Sequence, residues 1–402
     1  MDAFFTQLGE TVLKRWKREN FSLSKFPDIA CEVLEERPPA KHVDLAAFVR
    51  EFLLDEGQPS QTESGFGQPE LVVYHHSRFY IQLLFWLEGT TAIHQHEFSG
   101  AFHVMEGSSI HADFVFENAH AITPHFRTGD VRMKHIELLT TGRTVPITSG
   151  KGSIHSLFHL DTPSITVVVR TQHDPGTGPQ FNYLPPHVAL DPVFSDPLTL
   201  RRNQLLDVLA QTEDPAYPKL MLKTIADLDF ERGFYLLQHG MGYLQYIGKW
   251  DTALAAFQKK HGKPAAGIGA TLQEEVRRDN IKNLRNTIDD PEHRFFLALL
   301  MNAPARTDLL ALMKLRFPGE DPVETIIRWA EELMEISDEG TGILDARFPE
   351  TLDIPIEEQP DIFLAALRHF MKGGKVPTEL STAAKSALRT AFVESSLGIL
   401  IG

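Results

Sequence analysis

From Glu70 to Arg170 the chain is written in short β-branched and aromatic runs, each cut off by a turn signal. The runs are Leu71–Tyr74, Phe79–Trp86, Ala101–Met105, Ile110–Phe116, Arg132–Leu139, Gly152–Leu160 and Ser164–Arg170. The breaks between them include Glu88-Gly89, Glu106-Gly107, Thr128-Gly129-Asp130 and Thr141-Gly142. No single run of this length buries enough surface to stand alone. Many of them in succession pack as a β-sandwich or barrel.

The flanks are written differently. Phe4, Leu8, Val12, Leu13 and Trp16 fall at helix spacing, as do Leu45, Phe48, Val49 and Phe52, so residues 1–60 predict a helical N-terminal region. Gln58 to Gly67 is polar and reads as a loop. The β-rich domain is expected over 68–175. A Pro/Gly-rich stretch makes 176–197 the expected linker, and helix-spaced apolar residues make 198–402 the expected all-α domain. Gly248 to Gln258 looks like a helical-repeat unit, but no fixed period repeats it. The fold class expected is α+β multidomain.

Several functions are excluded by composition. The net charge of −15 and the absence of a Lys/Arg tract argue against a nucleic-acid partner. The N-terminal stretch shows no secretion-type apolar core, and no apolar run approaches the ~20 residues of a membrane span. A cytoplasmic location without membrane partners is the expectation. The lone cysteine, Cys31, leaves no internal disulfide and no cysteine-based zinc ribbon.

Histidine carries the chemistry. Of 18 histidines, 13 lie between His75 and His187, where an even spread would put about five. Within them sits Ile93-His94-Gln95-His96. In a strand His94 and His96 point to one face, about 7 Å apart at Cα. Two imidazoles so placed can share a metal at roughly 2.1 Å each. The third ligand must come from another strand, and His155, after the turn Gly150-Lys-Gly152, is the best placed. All three are expected inside a barrel, within about 4 Å of a common point.

Joined in this way, the two segments resemble the cupin superfamily, whose fold is a jelly-roll barrel (a double-stranded β-helix). The first motif of that family runs from a glycine (here Gly89) through His-x-His to a glutamate and a later glycine (here Gly107). Gly100 stands where the glutamate would be. In the second motif Gly150 replaces a proline and His159 replaces an asparagine. Three histidines without a carboxylate resemble the thiol dioxygenases, the cysteine dioxygenase branch. Phe79–Gly89 running into Ile93–His96 is similar to that branch's first-motif strand. The resemblance covers about residues 70–175 and leaves the helical remainder unassigned. With Gly100 in place and no cysteine nearby, the cysteine–tyrosine crosslink of animal members cannot form.

The resemblance implies His94, His96 and His155 as metal-binding and catalytic residues, with Fe(II) as cofactor; Ni, Mn or Zn suit the same ligands. It departs from the branch at two places. The carboxylate-binding arginine that follows a tyrosine by two residues is missing, and Tyr74-His75-His76 stands there, so Tyr74 and His76 become the substrate-binding candidates. The proton relay of the last strand is replaced by Thr166, Val168 and Arg170. Arg170 would then point into the site and bind an anionic substrate, or else be a strand-end surface arginine. His159 and His103 are expected in supporting positions around the ligands. His111 reads as a partly buried, hydrogen-bonded histidine, and His135 with Glu137, a same-face pair, as a pair either supporting the ligands or lying on the surface.

The function implied is a mononuclear non-haem iron dioxygenase using O2 on a small substrate, a thiol converted to a sulfinate. Three alternatives stay open: a three-histidine dioxygenase on a non-thiol substrate, a cupin binding module that signals through its helical domain, and a zinc or manganese isomerase-like cupin, which the missing carboxylate disfavours. The helical domain is expected to carry any protein partner or self-association.

Overall fold

The computed structural model describes residues 3–62, 66–87, 92–336, 359–373 and 382–401. The Glu88-Gly89 turn, and with it the first glycine of the motif, lies outside the described residues. Four helices come first: α1 (Ala3–Arg18), α2 (Phe26–Glu36), α3 (Pro39–His42) and α4 (Leu45–Leu54). Eleven strands follow: β1 (Glu70–His76), β2 (Phe79–Trp86), β3 (Ile93–His96), β4 (Gly100–Glu106), β5 (Ser108–Ala121), β6 (Phe126–Thr140), β7 (Thr144–Ile147), β8 (Gly150–His159), β9 (Ser164–Thr171), β10 (Asn182–Leu184) and β11 (Val188–Leu190).

They form two antiparallel sheets. One runs β1-β2-β9-β4-β7; the other closes as β10-β11-β6-β5-β8-β3. Without β1, β10 and β11, the neighbours are β2-β9-β4-β7 facing β3-β8-β5-β6, the order of a jelly roll built from two Greek keys. The jelly-roll expectation therefore holds.

Each sheet is covered on its outside, which explains why the strands read as nearly continuous apolar runs. Phe5, Leu8, Val12 and Trp16 of α1 and Phe26 and Val33 of α2 pack with Ile81, Leu83, Val167 and Val169 of the first sheet. A fully buried side chain of this kind contributes about 1.5–3 kcal/mol. The second sheet is covered by the C-terminal helices: α5 (Pro197–Gln211), α6 (Tyr217–Asp227), α7 (Phe230–Tyr246), α8 (Trp250–His261), α9 (Ile268–Thr287), α10 (Pro291–Asn302), α11 (Arg306–Arg316) and α12 (Pro322–Ile336), then Gln359–Lys372, Thr382–Glu394 and Gly398–Ile401. Asp44, Asp196, Asp229 and Asp290 cap α4, α5, α7 and α10 by accepting from backbone N–H groups of the first turn. No described helix is long and apolar enough to cross a membrane.

Helices and barrel share their cores. Phe126 and Val188 pack among α6–α8, and Ile110 and Phe158 among α9–α12. Arg285 of α9, 2% exposed, donates to the His159 carbonyl at 3.0 Å and lies 4.7 Å from the Phe158 ring centroid. Arg316 of α11 donates to Ser108 Oγ at 2.9 Å and pairs with Asp161 at 3.3 Å.

The expected linker at 176–197 is corrected. Within it, β10 pairs with β3 and β11 with β6, closing the second sheet into a barrel. Its prolines hid two three-residue strands whose existence depends on tertiary partners. Phe181 and Tyr183, each 2% exposed, anchor the closure, and Tyr183 donates its hydroxyl hydrogen bond to Gln95 Oε1 at 2.6 Å. β7 carries no strand signal in the sequence, because Pro146 sits in it. Among the described residues β7 is the sheet edge and pairs only with β4, where a missing N–H is tolerated.

Candidate metal centre

β3 crosses the barrel beside β8, with His94 directly opposite His155. The alternation along β3 turns His94 and His96 inward together. The three imidazoles are 3–4% exposed, and one nitrogen from each lies within 4.8 Å of the others. His96 Nε2 and His155 Nε2 stand 2.8 Å apart. His94 Nδ1 is 2.8 Å from the Ala92 carbonyl, so its N–H is committed there and its Nε2, which has no partner, is the free lone pair. This is the arrangement a metal needs: neutral donors converging on one point, with orphaned nitrogens that an ion about 2.1 Å away would satisfy.

Burial keeps these groups uncharged. It pushes His96 and His155 well below the ordinary histidine range; His94, His155 and Arg170 add to the effect at His96, and His94 and His111 add to it at His155. Burial lowers His94 as well, against the opposing pull of the Ala92 carbonyl. Neutral imidazole is the metal-binding form, so no ligand proton has to be displaced near pH 7.

A further histidine orients the cluster. His155 Nδ1 lies 3.1 Å from His111 Nε2, and His111 Nδ1 lies 3.3 Å from Glu137 Oε1. The natural polarity is His155 donating to His111 and His111 donating to the carboxylate. That leaves His155 Nε2 bare for an ion. Arg143 holds the other Glu137 oxygen at 3.2 Å. His111 was read as an ordinary hydrogen-bonded strand histidine; its signal was the β5 register, which places Glu137 opposite it. Replacing His111 with Phe, or Glu137 with Gln, is expected to weaken metal affinity ten- to a hundredfold, read by competitive chelator titration. Affinity unchanged in both variants would break this link.

The remaining site candidates divide. Arg170, for which an inward and a strand-end surface place were both open, faces inward and lines the pocket. Its guanidinium stacks 3.5 Å from the Phe98 centroid and 5.0 Å from that of Tyr80. Thr166 and Val168, the other relay positions, also line the pocket, and Thr166 Oγ1 accepts from Trp86 Nε1 at 3.1 Å. Tyr74 and His76 do not reach the pocket. A register shift between Val72 and Tyr74 turns them to the face of their partners Ile81 and Phe79, against the N-terminal helices. Tyr74 packs on Gly9 of α1 so closely that a Cβ there would meet its ring at 2.5 Å. His103 is likewise misplaced: Phe102 lines the pocket, so its neighbour in β4 faces outward with Ala101 and Met105, bonded to Thr144 Oγ1 at 2.8 Å. His159 shares the inward face of β8, bonded to Ser109 Oγ at 2.9 Å and stacked 4.5 Å from Trp86. It touches a wall of the pocket, not the three ligands.

Burial pushes His159 down to about 3, with Arg285 adding to it, and His103 down to about 4. Both are neutral when folded, whereas an unfolded histidine protonates near pH 6.5. The unfolded state therefore binds more protons over this window. Stability is full above about pH 6.5 and is lost as pH falls toward those lowered values. Urea unfolding at pH 7 and pH 5 should differ by about 2 kcal/mol from His159 alone, and His159→Phe should reduce the difference. An equal pH dependence in that variant would contradict this.

The site opens into a pocket walled by Leu84, Trp86, Phe98, Phe102, Leu157 and Val168, with Phe66 edge-on to Trp86 and His94. By its strand order the barrel is a jelly roll. Solved structures similar to it include a cupin-2 domain protein from Shewanella frigidimarina (17% identity over 33% of this chain and 96% of that one, TM-score 0.20). KdgF from Halomonas sp. is 15% identical over 28% of this chain and 87% of its own, with TM-score 0.20. Hydroquinone 1,2-dioxygenase from Sphingomonas sp. TTNP3, solved with 4-hydroxybenzoate bound, is 10% identical over 30% of this chain and 84% of its own, with TM-score 0.22. No family model and no curated protein sequence matches the chain.

Proposed function

We propose that the chain is a mononuclear Fe(II)-dependent dioxygenase acting on a small substrate inside the barrel, with thiols the first class to test. One observation carries the reading: three buried, neutral imidazoles converge on one point in an apolar pocket, and no carboxylate shares it among the described residues.

His94, His96 and His155 would hold the iron, and Ni, Mn or Zn would suit the same donors. Iron in such a site supplies the binding and activation of O2 and the acidification of a coordinating thiol. The protein residues have other tasks. Neutral ligands leave a divalent charge uncompensated in an apolar space, so the pocket favours an anionic substrate such as a thiolate or carboxylate. Trp86, Phe102 and Leu157 keep water from the reacting centre. Arg170 supplies a second positive charge beside it. Thr166 and Val168 offer no acid or base, so no proton shuttle is assigned to β9.

The test is anaerobic reconstitution with Fe(II), metal analysis, and O2 consumption against a panel of small thiols and small non-thiol acids. Iron near one per chain with substrate-dependent O2 uptake is the expected result. Iron bound at the site with no uptake on any member of the panel would overturn the dioxygenase reading.

A further inference from the structure

α9 turns a charged stripe toward the barrel. Glu275, Arg278, Asp279 and Lys282 follow one another at i, i+3, i+4 and i+7, so they share one side of the helix. A helix side that faces a packed neighbour is normally apolar, and elsewhere α9 obeys this with Ile268, Leu272, Ile281 and Leu284 buried. Across from the charged stripe stand Ile93 of β3, Leu184 of β10 and Met301 of α10. Between stripe and wall lies a cleft of ≈ 290 Å³, partly open to solvent.

The four charges are not equivalent. Asp279 and Lys282 satisfy each other at 2.5 Å. Glu275 has no hydrogen bond and no salt bridge to any described residue. Arg278, its side chain 16% exposed, donates once, to the Met301 carbonyl at 3.1 Å. The Glu274 carboxylate lies 3.8 Å from it but is already held in a fork by Arg277, at 2.7 and 2.9 Å. Burial raises the Glu275 carboxyl and lowers the Arg278 guanidinium, so both have lost water without gaining a full partner. Groups in that condition are costly unless a ligand completes them.

The sign of each group selects the ligand. An anion would suit Arg278 but meet Glu275 and Asp279. A cation would suit Glu275 but meet Arg278 and Lys282. An uncharged molecule would strip water from both and replace neither ionic partner. A molecule with both charges on one carbon spans two side chains one helical turn apart and answers each. We propose that this cleft binds a free α-amino acid with an apolar side chain. Its carboxylate meets the fork of Arg278, its ammonium meets Glu275, and its side chain rests on Ile93, Leu184 and Met301. The planar guanidinium, already anchored at Met301, offers its remaining donors to a carboxylate with little ordering left to do. Ile93 points to the outer face of β3, whereas His94 and His96 line the pocket within. The cleft is therefore separate from the barrel pocket and does not rest on the dioxygenase reading.

The test is calorimetric titration of the full chain with leucine, methionine and phenylalanine, and with two analogues of leucine: 4-methylpentanoate, which lacks the ammonium, and leucinamide, which lacks the carboxylate. Leucine is expected to bind at least about tenfold more tightly than either analogue, the loss that follows from one charged hydrogen-bonding partner. It should also raise the melting temperature, since it bridges α9 and β3 only in the native state. Glu275→Gln should weaken leucine at least about tenfold, and Arg278→Gln should do the same. Glu275 has no partner to lose, so its variant keeps the test valid if the Arg278 variant, which gives up the Met301 contact, fails to fold. Arg170→Gln, in the barrel pocket, should leave leucine binding unchanged. No binding of any of the three amino acids at millimolar concentration overturns the proposal. So does equal binding of leucine and its two analogues, or unchanged affinity in Glu275→Gln. Binding lost in Arg170→Gln and kept in Glu275→Gln would place the amino acid in the barrel and overturn it as well.

Discussion

His155→Ala is expected to abolish stoichiometric metal binding, weakening affinity by more than a hundredfold, while the barrel still folds. Even a partner that only orients a metal-ligating histidine is worth ten- to a hundredfold in affinity, and His155 is itself a ligand candidate at the junction of the site. Its Nε2 faces His96 at 2.8 Å, its Nδ1 faces His111 at 3.1 Å, and its backbone is paired opposite His94. Removing the imidazole deletes one donor and strands the Glu137–His111 link that orients it. The fold has less at stake, because the strand pairing of β8 with β3 and β5 is made by the backbone. The check has two readouts. Metal content after dialysis against Fe(II) or Zn(II) should fall from one ion per chain to none. Added metal should raise the melting temperature of the unaltered chain, by mass action on the native state, and leave the variant's unchanged. A variant that keeps one ion per chain at unchanged affinity would remove His155 from the site and, with it, the three-histidine reading.

Much of this arrangement could be read from residue order, and what could not has a consistent cause. Strand alternation is local, so the inward pairing of His94 and His96 followed from two positions in one strand. Most of the longer strands followed from turn residues between apolar runs. Parity, however, does not carry across a loop or a bulge, and a slip of one residue exchanges the faces. That is why His103 and His76 were expected near the site and lie on the outer face. The β3–β4 loop resets the alternation for His103, and the Val72/Tyr74 register shift resets it for His76. His111 shows the opposite error. Nothing around it in sequence distinguishes it from other strand histidines; its role comes from the β5–β6 and β5–β8 registers, which bring Glu137 and His155 to its two nitrogens. The barrel closure by β10 and β11 was hidden for a related reason, since three-residue strands between prolines exist only because β3 and β6 wait beside them.

Gly100 tests whether the missing carboxylate is a vacancy that could be refilled or a consequence of how the barrel closes. Gly100 occupies the motif position where a glutamate ligand would stand, so Gly100→Glu looks on paper like a route to a site of three histidines and one carboxylate. The packing argues otherwise. A Cβ built on Gly100 meets the Val169 carbonyl oxygen at 2.0 Å and the Arg170 Cα at 3.0 Å. Both are backbone atoms of β9, which is paired to β2 on one side and β4 on the other and cannot withdraw without breaking two ladders. Any side chain here must push β4 and β9 apart beside Arg170 and the Ser99–Asp174–Thr171 hydrogen bonds. Gly100→Ala alone is expected to lose about 3 kcal/mol or more of stability, the upper range for an overpacked core. Against a typical total of about 5–15 kcal/mol, that is a large share. Gly100→Glu should do worse, yielding insoluble or unfolded chain with no gain in metal affinity. Urea unfolding of the alanine variant and metal titration of whatever soluble glutamate variant is recovered are the measurements. An alanine variant as stable as the original would show that β9 yields at this point. A folded glutamate variant with raised affinity would mean that only the residue at 100, and not the close approach of β4 to β9, keeps a carboxylate out of this site.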